Sequence, residues 1–212
     1  MSTVTAEQVQ TYLDATYLTQ AQLAERAGVT PARVAELEAA QCIPGASYRV
    51  EGDFRIASTF GHFELPVPET RYYHPSIARW VEKAEGLAKS HDLEGVARIM
   101  RLDFTRELAT RVNGRTTRDT LKPEQAWAYV TDGTWGLCIK DIAPEYMIAK
   151  EMARLTFAGA PEEPTEAERE VLESAAADYE RVALPFAPHE LDISSRRQEF
   201  EPAVEKYGLV RP

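Results

Sequence analysis

Imidazole, carboxylate and guanidinium groups crowd into one stretch of the chain, residues 47–75, SYRVEGDFRIASTFGHFELPVPETRYYHP. Imidazole titrates near neutrality, so His62 and His74 are candidate acid–base groups, with Glu64 and Glu69 as the nearest carboxylates. A guanidinium grips a carboxylate through two parallel hydrogen bonds, which makes Arg49 and Arg71 candidate substrate anchors. Tyr72 and Tyr73 place aromatic surface beside Arg71. The competing reading is structural: each histidine is hydrogen-bonded to backbone and caps a core.

Two further groups could do chemistry. Trp135 lies near Trp127 and Tyr129, either as core or as a platform for a flat substrate. Towards the C-terminus, His189 and Glu190 precede Ser194, Ser195, Arg196 and Arg197, where hydroxyls and guanidinium groups at a helix start could hold an anion. The structural alternative is a tail packed across the body. His189 and Glu190 are the only obvious additions to a metal set built on His62 and His74. No tight ligand spacing supports one, so no metal and no cofactor is expected. Cys42 and Cys138 sit in neither a CxxC nor a zinc spacing and read as buried reduced thiols.

The elements around these groups are mainly helical. Residues 1–46 read as a helix-turn-helix unit: a first helix over Ala6–Ala15, a second opened by the Thr19–Gln22 capping box, a turn at Gly28, and a third capped by Thr30 with Pro31 at its first position. Residues 47–212 read as a helical, bundle-like body with short strands and a small-molecule pocket. A β-hairpin is expected around Glu51-Gly52-Asp53, followed by an extended run through Pro66 and Pro68. Amphipathic helices are expected over Ser76–Ser90, Leu93–Val112 and Glu145–Phe157, with a short one from Pro123 and an acidic one opened by Thr165 and Glu168.

Charge bears on the partner. The 212 residues carry a net charge of −10, and a phosphate backbone repels such a surface on average. Within the N-terminal unit Arg26 and Arg33 stand against Glu7, Asp14, Glu25, Glu36 and Glu38. A helix that reads bases needs more donors than this, so nucleic acid is not the expected partner, and packing or homodimerisation is. With no signal peptide in MSTVTAEQVQ and no long apolar run, a cytoplasmic protein with no membrane association is expected.

The stretch LAERAGV, residues 23–29, resembles the front end of MerR-like regulators. With the Pro44–Tyr48 segment, RYYHP at 71–75, APHE at 187–190 and SSRR at 194–197, the whole chain resembles a bacterial family of natural-product biosynthesis proteins, similar in turn to bacterial Pictet–Spengler cyclases that form β-carbolines. The resemblance implies a cofactor-free enzyme acting on an aromatic amine or amino acid. Tryptophan and an aldehyde are joined, with a glutamate as base and Arg and His assisting. It does not assign that glutamate: Glu64 and Glu69 are simply the carboxylates nearest His62 and Arg71. The alternatives are a ligand-sensing transcriptional regulator and a non-catalytic accessory protein of a biosynthetic pathway.

Overall fold

The computed structural model describes residues 4–51, 55–64, 69–115 and 117–210. The Gly52-Asp53 turn and the Pro66–Pro68 run lie outside the described residues. The fold is mainly α, with a small antiparallel sheet.

Local signals set most helix starts. Helix α1 (Ala6–Thr16) buries Val9 and Leu13. Thr19 caps α2 (Gln20–Ala27) in a reciprocal box with Gln22, and Gly28 ends it at φ 68°, where a β-carbon would be strained. Thr30 caps α3 (Pro31–Ala39), which buries Val34 and Leu37. Helix α4 (Ile77–Ala88) follows the sheet. Asp92 caps α5 (Leu93–Val112) through the Gly95 N–H, and Asn113 closes it in the left-handed region. Then come α6 (Pro123–Thr131), α7 (Pro144–Ala158), α8 (Glu166–Val182), capped by Thr165, and the short α9 (Glu201–Tyr207).

The expected hairpin is part of a larger sheet. Strands β1 (Leu18–Thr19), β2 (Tyr48–Glu51), β3 (Arg55–Ser58), β4 (Gly61–Glu64) and β5 (Thr70–Tyr73) form one sheet in the order β1-β5-β2-β3-β4, every pair antiparallel. RYYHP therefore does not merely lead into a helix. Its Tyr72 sits between Thr19 and Tyr48, bonding the N-terminal unit to the rest of the sheet.

The apolar core runs across the expected boundary at residue 46. Leu23, Val34 and Leu37 belong to the same buried cluster as Tyr48, Ile77, Trp127 and Trp135. A second cluster forms where α7 meets α8 and α9, with Phe157, Tyr179 and Phe200 at its centre. Segment 45–47 presses against segment 131–136. A β-carbon on Gly45 would lie 2.3 Å from the Thr131 carbonyl oxygen, and one on Gly133 2.3 Å from that of Ala46. Side chains cannot fit there, so two backbones pass in contact, and the loop that carries Trp135 is held in place.

Candidate functional site

The sequence-expected site residues do not converge on one cavity. His62 and Glu64 are exposed on β4, which among the described residues is an edge strand paired with β3, and Glu69 is exposed just before β5. His74 lies on the opposite side of the question. It is buried, and its Nδ1 meets the Ser76 hydroxyl at 2.7 Å and accepts the Ser76 N–H at 3.1 Å. Burial lowers its pKa to about 4, which keeps it neutral near pH 7.

Arg49, Arg71 and Tyr73 do meet, around a carboxylate that the sequence offered only as a helix position. Glu38, at the end of α3, accepts from Arg71 at 2.6 Å, the Tyr73 hydroxyl at 2.6 Å, the Ala46 N–H at 3.0 Å and Arg49 at 3.3 Å. Burial pushes the Glu38 carboxyl up, but these donors outweigh it and hold it below its ordinary value. Both arginines are thus committed to an internal carboxylate. They border an open groove of about 430 Å³, with Glu69 and Thr70. Tyr72 is buried, and its hydroxyl accepts from Gln10 at 3.1 Å.

His189 and Glu190 belong to a second buried group. Glu190 is 2% exposed and accepts from the Tyr48 hydroxyl at 2.6 Å and from the Ser58 hydroxyl. Burial raises its pKa, against those two hydrogen bonds. His189 Nε2 lies 3.7 Å from it, and burial lowers the histidine to about 4. Ser58 sits at the tip of the β3–β4 hairpin, so Glu190 fixes the tip in place. Arg196, expected as an anion ligand, is taken by Glu180 through two hydrogen bonds of 2.7 and 2.8 Å.

That hairpin tip forms one wall of a cavity of about 350 Å³. Phe60 and Phe186, with ring centroids 5.8 Å apart, line it, together with Tyr129 and Trp135. Trp135 is buried, with its indole N–H on the Ala126 carbonyl at 3.2 Å, so its ring and not its polar atom is presented. Thr59, Thr120, Thr134, Ser195 and Gln198 supply neutral polar groups, and Cys138 contributes a thiol. The volume is at the lower end of the roughly 300–1,000 Å³ usual for small-molecule sites and suits a ligand of one or two rings.

Helix α7 supplies the charged face of this cavity through Lys150, Glu151 and Arg154. Glu151 is buried and accepts from Arg154 at 2.7 Å and Thr120 at 2.8 Å, with Arg118 at 3.3 Å. Arg154 also forks onto Glu199 through bonds of 2.5 and 2.7 Å, and Arg118 reaches Glu199 at 3.4 Å. Two arginines and two carboxylates therefore satisfy each other. Lys150 is outside that arrangement. It is 2% exposed, and among the described residues its Nζ makes no hydrogen bond and no ion pair; it lies 5.4 Å from the centre of the Phe186 ring and borders the cavity. Asp132, also on the lining, is exposed and among the described residues takes only the Thr134 N–H, at 2.9 Å. A separate groove near Trp80 is crossed by the Arg79–Asp141 and Lys83–Asp103 pairs, which satisfy one another.

Lys150, Glu151, Arg154 and Asp132 were not singled out from the sequence. A signal was present: Lys150, Glu151 and Arg154 follow Met147 by three, four and seven residues, which puts them on the buried face of an amphipathic helix. No group of three or more metal-ligating side chains occurs among the described residues. No described helix is long and apolar enough to cross a membrane.

Residues 93–208 match the family described as "Family of unknown function (DUF6058)". That span holds every cavity-lining residue except Thr59 and Phe60. No curated protein and no solved structure matches the chain.

Proposed function

The chain belongs to DUF6058, whose match covers more than half of it, and we propose that it is a cofactor-free enzyme acting on a small aromatic amine or amino acid in the Lys150 cavity. The observation that carries this reading is the cavity itself: four aromatic rings and a ring of hydroxyls around a space sized for one or two rings. Aromatic walls take a flat ligand face-on or edge-on, and the hydroxyls fix its polar atoms.

A Pictet–Spengler-type cyclisation is the specific reaction we propose, as part of natural-product biosynthesis. The amine of an arylethylamine condenses with an aldehyde to an iminium ion, releasing one water. The indole carbon attacks it, forming a carbon–carbon bond, and a base removes the ring proton to restore aromaticity. Asp132 is our choice of base, because it is the lining carboxylate with no cation on it, whereas Glu151 is tied to Arg154 and Arg118. His62, Glu64 and Glu69 do not line the cavity that holds these rings.

We read α2, Gly28 and α3 as a helix-turn-helix used for packing. Arg33, the cation on α3, is taken by Glu85 of α4 at 2.7 Å and by Glu36 at 2.6 Å, which argues against a regulator reading DNA. A homodimer in the cytoplasm remains part of the proposal.

A thermal-shift screen with aromatic amino acids, arylethylamines and aldehydes tests the reading. A ligand at a hundred times its Kd adds about 2.7 kcal/mol, or about 5–10 °C for a chain this long. Binders are then incubated with an aldehyde, and a product is sought by mass spectrometry at the summed mass less one water. Asp132→Asn should bind but not turn over. Absence of any aromatic ligand overturns the reading; binding without product confines it to an accessory role.

A further inference from the structure

Among the described residues Lys150 is the cation lining the cavity with no carboxylate on it. We infer that it anchors a carboxylate of the ligand, so that the substrate is an aromatic acid or amino acid and not a simple arylamine. This rests on the reading of the cavity as an aromatic-ligand site.

Charge is unbalanced around a lysine that is almost wholly covered. An ammonium group withdrawn from water is costly unless an anion and hydrogen-bond acceptors replace the lost hydration. Lys150 is 2% exposed, yet it has no hydrogen bond and no ion pair among the described residues. The nearby carboxylates are already engaged: Glu151 by Arg154, Arg118 and Thr120, and Glu199 by both arginines. Lys150 does help to hold the Glu199 carboxyl low, after the larger effect of Arg154 and against its burial, but it makes no contact with it. Within the cluster at α7 three cations thus face two carboxylates, while Asp132, the other carboxylate of the lining, is exposed and among the described residues takes only the Thr134 N–H. The surplus is a single positive charge, and it borders the cavity.

One surplus charge fits a monoanion. A phosphate dianion would exceed that single surplus charge. The Phe186 ring at 5.4 Å holds the empty-state ammonium by a weak cation–π contact, which a carboxylate oxygen can supplement without displacing. The same residue would then set the ligand's direction: acid end at α7, rings against Phe60, Phe186, Tyr129 and Trp135.

The test measures binding of three indole compounds by calorimetry: tryptophan, indole-3-propionate and tryptamine. The wild-type protein should bind the two acids at least about tenfold more tightly than tryptamine. Equal affinity for the two acids would place the recognition in the carboxylate alone; preference for tryptophan would add an amine contact. Lys150→Met should cost the acids about ten- to a hundredfold and leave tryptamine bound no more weakly, since its own ammonium no longer meets a like charge. Lys150→Arg should recover part of the loss. Without ligand, Lys150→Met should keep or raise the Tm, since it removes an uncompensated charge and keeps the chain's length. Aromatic ligands that bind with no preference for a carboxylate overturn this inference and leave the cavity reading standing. A Lys150→Met protein that melts several degrees lower in the free state also overturns it, by showing a structural role. Failure of all three compounds and of the wider aromatic screen removes both.

Discussion

Replacing Glu38 by alanine should be among the most damaging single changes in the N-terminal half. The side chain is 8% exposed and accepts four hydrogen bonds. Its loss strands two buried donors, the hydroxyl of the fully buried Tyr73 and the Ala46 N–H, at about 1–3 kcal/mol each. Arg49 and Arg71 keep 38% and 43% of their side-chain surface in water, so their share is discounted to about 0–1 kcal/mol each. These parts allow a total of about 2–8 kcal/mol; since single changes seldom cost more than about 5 kcal/mol, about 2–5 kcal/mol is expected, a fall in Tm of about 4–20 °C. Urea denaturation of Glu38→Ala, Tyr73→Phe and the double variant resolves the parts. Tyr73→Phe alone should cost about 1 kcal/mol, and in its background Glu38→Ala should cost about 1–2 kcal/mol less, because the stranded hydroxyl is gone. The companion measurement is ligand binding. If Arg49 and Arg71 serve Glu38 and not a substrate, Arg71→Met lowers stability slightly and leaves the affinity for an aromatic acid unchanged. A Glu38→Ala cost below about 1 kcal/mol, or an Arg71→Met protein that is stable but no longer binds, would refute the assignment.

Acid should destabilise the protein before its carboxylates titrate. His74 and His189 are held neutral at about 4 in the fold but take up protons below 6.5 when unfolded, so stability falls as pH drops from 6.5 towards 4, by about 3 kcal/mol for His74 at full extent. The lowered Glu38 carboxyl acts in the same direction, below its unfolded value. Glu190, raised by burial, has the opposite sign: its contribution is lost as pH rises through 4.5 to its folded value, and it offsets part of the histidine effect. Urea midpoints at pH 7 and 4.5 check this, and a His74→Asn protein with an unchanged difference would contradict it. Gly133→Ala should cost about 3 kcal/mol or more, since a β-carbon meets the Ala46 carbonyl at 2.3 Å at φ 89°, and the Trp135 fluorescence should shift with it. A Gly133→Ala protein with native stability would show that segments 45–47 and 131–136 can part without loss.

What could be read from the sequence follows from how local each signal is. Thr19 with Gln22, Thr30 with Pro31, Asp92, Asn113 and Thr165 with Glu168 mark helix ends through contacts within four residues, and each cap forms as spaced. The sheet is harder. Strand β1 has two residues, one of which is also the α2 cap, and β4 reads GHFE with no alternation of apolar and polar positions. Only the long-range pairing of Tyr72 with Thr19 and Tyr48 makes those segments strands. The site was legible in part. Trp135 lines the cavity, and Tyr129 with it. The crowding of His and Arg in residues 47–75, by contrast, dissolves into separate tasks: Glu38 takes the arginines, Ser76 takes His74, and solvent takes His62. Counting ionisable residues along a chain cannot tell a paired charge from an unpaired one. That distinction appears only when α7 brings Lys150 beside two arginines whose carboxylates are already spoken for.

Residues 47–75 still matter to the cavity, through backbone and not through acid–base side chains. Thr59 and Phe60 are the lining residues outside the family match, and both sit on the β3–β4 tip. Two anchors hold the sheet that carries that tip. Buried Glu190 accepts from Ser58 at one end, and Glu38 ties β2 and β5 to α3 at the other. The 131–136 loop, bearing Asp132, Thr134 and Trp135, is pinned to the same sheet by the close passage at Gly45 and Gly133. The N-terminal helices thus bear on the cavity from a distance: they brace the sheet, the sheet carries Phe60 to the mouth, and the loop beside it carries the proposed base. A change in α3 that loosens Glu38 should therefore weaken ligand binding only through lost order at Phe60, with the Lys150 preference for acids over tryptamine retained. Equal weakening of all three indole compounds is the signature of that route, whereas loss confined to the acids belongs to Lys150 itself.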